Sequence, residues 1–242
     1  MAQLAPILAG VSDRLRARRG AAAPFIVGVT GAVASGKSTF SGQLAQAIGG
    51  WPEAGAVEIV CTDGFLKTNA ALEAEGLSMR KGFPESFDAK AMAGALSAIR
   101  AGAADFPGYS HVTYDVDPAL TRRLSSPDVL IVEGLGLHDG PAANGLDALV
   151  YLDADEAHLE AWFTQRLLGL MAAGVTDEAS FYHRFRHFGP DQARDFCVSV
   201  WQSINLPNLR GHIVLARDHA DIVVRKGPQH QIEAITEAPA RT

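Results

Sequence analysis

The stretch Gly31-Ala-Val-Ala-Ser-Gly-Lys-Ser38 fits the pattern G-x-x-x-x-G-K-[ST]. Its neighbours decide whether the match carries meaning. The apolar run Phe25-Ile-Val-Gly-Val-Thr30 leads into it and reads as a short buried strand. Phe40, Leu44, Ala47 and Ile48 follow on one helical face. Strand, glycine loop and helix are the parts a phosphate cradle needs. Glycines let backbone N–H groups turn inward onto phosphate oxygens, and the helix N-terminus adds positive partial charge. Gly31, Ala32, Val33, Ala34, Ser35 and Gly36 would line the phosphates, with Lys37, Ser38 and Thr39 opening the helix. Lys37 can reach the β- and γ-phosphates, and the Ser38 hydroxyl can ligate Mg²⁺. The sequence therefore predicts a nucleoside triphosphate site. What happens to the γ-phosphate must be read elsewhere.

Composition narrows the classes. The chain has 242 residues, 48% of them hydrophobic, enough for a sizeable core in one α/β domain. No apolar run approaches the 18 residues of a membrane span. A net charge of −6 argues against a nucleic-acid-binding surface. Cys61 and Cys197 are too few for a metal site and read as reduced thiols of a cytoplasmic protein. Residues 1–22 read as an amphipathic helix, since Leu4, Ile7, Leu8, Val11 and Leu15 precede the arginines. A secretory signal would place its charges first. The tail, residues 236–242, reads as frayed.

Strands and helices alternate, which favours an α/β fold with a mostly parallel sheet and helices on both faces. Expected strands are Phe25–Thr30, Val57–Thr62, Val129–Glu133, Ala148–Asp153 and Asp221–Arg225. Expected helices are Ser38–Ile48, Ala89–Arg100, Glu156–Ala172 and Asp191–Ile204. Gly64–Asp88 and Gly102–Asp117 read as long functional loops. In an open α/β sheet, ligands gather beyond the carboxyl ends of the strands. That rule selects Asp63 after the second strand and Glu133 at the end of the third.

Asp63 can take a proton from an attacking hydroxyl or hold Mg²⁺ through water. Glu133 ends the run Val129-Leu-Ile-Val-Glu133 and suits Mg²⁺ or its water shell. Arg80-Lys81 and the segment Tyr109-Ser-His111 lie in the two long loops. On the helix Glu156–Ala172, Phe163, Arg166, Leu167 and Leu170 share a face. An arginine in an apolar stripe needs an anionic partner, and a transferring phosphoryl group would be one. A lone snorkelling arginine is the plainer alternative. The segment Phe181-Tyr-His-Arg-Phe-Arg-His-Phe188 reads as a lid or pocket wall.

Together these motifs resemble the bacterial type I pantothenate kinases, among the P-loop kinases that include uridine kinase and phosphoribulokinase. The resemblance runs from about Pro24 to about Ile235. It rests on Gly31–Ser38, Thr62-Asp-Gly-Phe-Leu66, Arg80-Lys-Gly-Phe-Pro-Glu-Ser-Phe-Asp88, Tyr109-Ser-His111, Ile131-Val-Glu-Gly134 and Ile204-Asn-Leu-Pro-Asn-Leu209. It implies a homodimeric enzyme that phosphorylates the primary hydroxyl of pantothenate with ATP and Mg²⁺. It implies further that Asp63 is the catalytic base and that Arg166 stabilises the transferring phosphate. By the same resemblance Lys81, Tyr109, His111 and Asn205 face the substrate, and His230 packs near adenine.

The chain departs from that pattern at the acceptor. Phe163 stands where the family has a tyrosine that hydrogen-bonds pantothenate. Leu167, Leu170 and Val175 stand where it has phenylalanines, and Gly42 where it has an arginine used in feedback binding of coenzyme A. Losing one hydroxyl costs on the order of 1 kcal/mol. Another hydroxyl metabolite (a sugar, nucleoside or hydroxy acid) is therefore an alternative acceptor. A regulatory module that only binds ATP would not need an acid and an arginine around the γ-phosphate.

Overall fold

The structure, a computed structural model, describes residues 4–19 and 24–237. A first helix, α1 (Leu4–Arg18), precedes strand β1 (Phe25–Gly31) and helix α2 (Lys37–Ile48). Strand β2 (Val57–Cys61) leads into short α3 (Asn69–Ala74) and then α4 (Ala89–Arg100). A hairpin of β3 (Ala103–Ser110) and β4 (Asp115–Ser125) comes before β5 (Val129–Glu133). Short α5 (Gly140–Ala143), β6 (Ala148–Asp153) and α6 (Glu156–Gly174) follow. The chain closes through α7 (Pro190–Val200), α8 (Leu206–Gly211), α9 (Ala216–His219), β7 (Ile222–Lys226) and β8 (Ile232–Glu237).

The main sheet runs β2-β5-β1-β6-β7-β8, with only β8 antiparallel to its neighbour. Central strands read as continuous apolar runs because both faces are covered. Ile26, Leu130 and Leu149 face the layer of α4, α6 and α7. Val27, Ile131 and Val150 face the layer of α1 and α2. Each such side chain, taken fully out of water, contributes about 1.5–3 kcal/mol. Helix α1 is part of this packing: Val11 and Leu15 are buried, and Trp51 donates from its indole to Ser12 Oγ at 2.7 Å. Arg18 pairs with Asp221 at 3.1 Å.

Three expectations change. The segment 102–117 is not a loop but the first half of the β3–β4 hairpin. Pro107 and Gly108 interrupt the alternation of β3, where the register shifts, and most of β4 is exposed, so neither strand shows a buried-face pattern. Residues 236 and 237 belong to β8 rather than to a frayed tail, while residues 238–242 lie outside the described residues, as do 1–3 and 20–23. The helix expected over Asp191–Ile204 passes into a π-turn at Trp201–Asn205 before α8. Pro207 has no N–H to return to the Ser203 carbonyl, so the α-helical ladder cannot continue unbroken.

The hairpin packs against the turn that carries Asp63. Arg122 on β4 donates to the Ile59 carbonyl at 2.8 Å, covering the open edge of β2. A Cβ at Gly64 would fall inside the Pro107 carbonyl, so the two backbones touch only because residue 64 has no side chain. Gly64→Ala is expected to push the hairpin off the Asp63 turn at a cost of about 1–3 kcal/mol. Thermal unfolding should show a fall of roughly 2–12 °C together with lost activity. An unchanged melting temperature would contradict the close approach.

Candidate active site

At the carboxyl end of β1, the phosphate loop wraps before α2. Gly36 has φ 83°, and a Cβ there would lie 2.9 Å from Lys226 Nζ, so both conformation and space call for glycine. Lys37 Nζ donates to the carbonyls of Gly31 at 3.1 Å and Ala32 at 2.9 Å. Ser38 Oγ donates to Glu133 Oε1 at 2.7 Å, across from the end of β5. Glu133 is buried, and Ser35 Oγ is buried with no partner. A hydroxyl and a carboxylate side by side form a hard-oxygen pair that suits Mg²⁺. That ion uses one or two protein oxygens and completes its shell with phosphates and water. Ser38 and Glu133 therefore fit the ion.

Charge converges on Lys37. Burial pushes its ammonium down, while Glu133 and Asp63 oppose that shift and Arg166 adds to it. All four groups thus share one field. Asp63 sits in a single 3₁₀ turn, Thr62–Phe65, directly after β2, and its N–H points to Cys61 Sγ at 3.5 Å. Arg166 projects from the exposed side of α6. The buried stripe of that helix is Leu159, Trp162, Phe163, Leu167 and Met171. Arg166 is therefore not desolvated within the stripe, as its spacing suggested; it lies toward the cleft, where its charge acts on Lys37, Tyr114 and Tyr182.

A second group faces this one from the hairpin. Lys81 Nζ donates to Asn69 Oδ1 and to the Tyr114 carbonyl, each at 2.6 Å. It also lies 4.3 Å from the Tyr114 ring centre and 5.1 Å from that of Tyr109. Burial brings Lys81 down to about 8, against the pull of Asp115 and Asp63. Tyr109 meets His111 edge-on at 5.2 Å. Tyr114 adopts φ 56°, which aims its carbonyl at Lys81 and Asn69. Phe181 N–H donates to the Val112 carbonyl at 2.7 Å and ties the hairpin tip to the segment after α6.

Beyond the phosphate loop, His230 stacks on Trp162 with ring centres 3.7 Å apart and planes 22° apart. Lys226, at the end of β7, donates to the Ser35 carbonyl at 2.7 Å and lies 5.9 Å from the Trp162 ring. Burial lowers it to about 8, with Lys37 adding to the shift. Sequence reasoning missed Lys226, although the rule that selected Asp63 and Glu133 also reaches it: it closes the apolar run Ile222-Val-Val224. Asn69 was missed too, because its partner is a backbone carbonyl on a hairpin that the sequence did not reveal.

Two expected residues stand apart. Asn205 Nδ2 is directed to the Val200 carbonyl at 3.5 Å within the π-turn, and no hydrogen bond joins it to the Lys81 group. Asn208, one turn on, reaches the Gly82 carbonyl at 2.8 Å instead. Phe163 is buried, its ring tilted against Trp201 at 5.7 Å.

A glycine loop between strand and helix, with a lysine, a serine and two strand-end acids, defines a P-loop phosphotransferase. Comparison with known proteins agrees. The profile of the Phosphoribulokinase / Uridine kinase family matches residues 26–168. A pantothenate kinase of Sorangium cellulosum is 40% identical over 234 residues, covering 93% of this chain and 76% of its own length. One from Parvibaculum lavamentivorans is 41% identical, with 88% and 69% covered. A solved structure from Silicibacter sp. TM1040, described provisionally as a fructose transport system kinase, superposes with a TM-score of 0.69 at 26% identity. It covers 88% of this chain and 95% of its own. The chain belongs to the phosphoribulokinase and uridine kinase family and, within it, to the pantothenate kinases. It is an ATP-using kinase.

The depressed Lys81 sets an expected pH dependence. Lys81 is charged below about pH 8 and neutral above it. With ATP saturating, kcat/KM for an anionic acceptor should fall above that pH, approaching about tenfold per unit, because this constant reports the free enzyme. A profile flat to pH 9.5 would exclude Lys81 as the acceptor's cation.

Proposed function

We propose that the protein transfers the γ-phosphoryl group of MgATP to the primary hydroxyl of pantothenate, giving 4'-phosphopantothenate for coenzyme A synthesis. The observation that carries this reading is the shared field of Lys37, Glu133, Asp63 and Arg166, set opposite the Lys81–Tyr109–Tyr114 group. The pantothenate kinases at about 40% identity support the acceptor.

Asp63 takes the proton from the acceptor hydroxyl as its oxygen attacks the γ-phosphorus in line. The bond from phosphorus to the bridging oxygen breaks, and ADP leaves with that electron pair. Lys37 leaves the carbonyls of Gly31 and Ala32 and follows the charge moving onto the β-phosphate. Arg166 neutralises the equatorial oxygens of the transferring group. Mg²⁺, when bound by Ser38 and Glu133, supplies further neutralisation of the phosphates. Lys81 and Tyr109 orient the acceptor, His111 beside Tyr109 faces it as well, and His230 with Trp162 flanks the base of the nucleotide. Asn205 contributes to the acceptor pocket only if its amide turns from Val200. A cytoplasmic location and a homodimer follow from the resemblance. The length supports a single kinase domain over residues 1–242. Among the described residues no helix is long and apolar enough to cross a membrane.

A second reading keeps the chemistry and changes the acceptor to another hydroxyl metabolite. It is favoured by Phe163 and Leu167, which offer the pocket hydrocarbon and no hydroxyl. Acceptor-dependent ADP release across pantothenate, sugars, nucleosides and hydroxy acids separates the two. Pantothenate should give the highest kcat/KM; a higher value for any other acceptor would replace it. Asp63→Asn should lower kcat by about 10²–10⁴ with KM for ATP nearly unchanged. Near-normal turnover would remove Asp63 from the base role.

A further inference from the structure

Tyr182 holds a hydroxyl that nothing in the described protein uses. Its side chain is buried, within a short 3₁₀ turn, Phe181–Phe185, that follows α6. The turn is fixed at three points. Ser180 Oγ accepts from the Tyr182 N–H at 3.2 Å. The Phe181 N–H reaches the Val112 carbonyl at the hairpin tip. His183 Nδ1 meets the Gly174 carbonyl at 2.9 Å, at the end of α6. The ring is wedged edge-on against Tyr114 at 6.1 Å and Phe181 at 5.4 Å.

A buried phenol held this firmly normally finds a hydrogen-bond partner. Among the described residues the Tyr182 hydroxyl makes no hydrogen bond, yet its oxygen keeps some exposure. Burial keeps the phenol protonated, and the positive charge of Arg166 acts on it. It therefore stands as an unspent donor in the field of the proposed phosphoryl-stabilising arginine, beside the Tyr114 ring that Lys81 also meets. On α6 the buried Phe163 and Leu167 carry no polar side-chain atom.

We propose that the Tyr182 hydroxyl donates a hydrogen bond to an oxygen of the bound phosphoryl acceptor and so takes part in selecting it. The inference rests on the kinase reading of this cleft but not on pantothenate as the acceptor. Tyr182 serves as a specificity-determining residue on the side where Phe163 supplies only hydrocarbon. The oxygen it meets is a hydrogen-bond acceptor, such as an amide carbonyl, a carboxylate or a second hydroxyl.

The test is the Tyr182→Phe variant of the full chain, compared with wild type by steady-state kinetics in each substrate and by thermal unfolding. KM for the acceptor should rise about tenfold or more, the loss expected for one good hydrogen bond. KM for ATP should stay within about twofold, and the melting temperature should be unchanged or higher, since no internal bond is lost. An unchanged acceptor KM overturns the inference. A lowered melting temperature also overturns it, because the hydroxyl would then be bonded within the protein. Wild type is assayed first: if it turns over another acceptor in place of pantothenate, the pantothenate reading fails. The Tyr182 comparison is then made with that acceptor and keeps the same two outcomes.

Discussion

The active rim depends on how three parallel strands end together. β1, β5 and β2 pair so that Val29 lies opposite Glu133, and Glu133 opposite Cys61. Just beyond, the Gly134 N–H donates to the Val29 carbonyl at 3.0 Å, and the Leu135 N–H donates to Thr62 Oγ1 at 2.9 Å. Thr62 sits against Gly134 so closely that a Cβ at 134 would overlap its hydroxyl. This junction fixes the phosphate loop, Glu133 and the Asp63 turn relative to one another. A register slip in any of the three strands would separate the acids from the lysine.

On this frame the chain gathers charges that would be costly elsewhere. Lys37 and Lys226 are both pushed down by burial, and each is held by backbone carbonyls of the loop. Two lysines donating to loop carbonyls, with the Ser35 N–H donating to the Ala32 carbonyl at 3.2 Å, hold the loop in shape. The hairpin then brings Tyr109 and Tyr114 against Lys81, which lies between α3 and α4, and is anchored to β2 by Arg122 and to the post-α6 turn by Phe181. Separate elements thus carry the phosphate loop and the Lys81 group.

Much of this was legible in the sequence. The five parallel strands are short apolar runs, and the residues at their ends follow from the fold rule. Lys37, Ser38, Asp63 and Glu133 could be read because each sits at a strand end or a glycine loop. The hairpin was not legible, since β4 exposes most of its side chains and has no buried face to impose alternation. The Lys81 network was hidden for the same reason: its acceptors are Asn69 and the Tyr114 carbonyl, and a carbonyl's direction depends on a left-handed φ at a tyrosine. The exposure of Arg166 was misjudged because spacing places a residue on a face without saying whether a cleft opens there.

The central claim is that residues 31–38 form a triphosphate site in which Lys37 serves the phosphates and Ser38, beside Glu133, serves the metal. A crystal structure with Mg²⁺ and a non-hydrolysable ATP analogue tests it directly. Lys37 Nζ should leave the carbonyls of Gly31 and Ala32 for β- and γ-phosphate oxygens, and Ser38 Oγ should turn from Glu133 to the metal. A complex in which Lys37 stays on those carbonyls and the phosphates lie outside residues 31–38 would contradict the account.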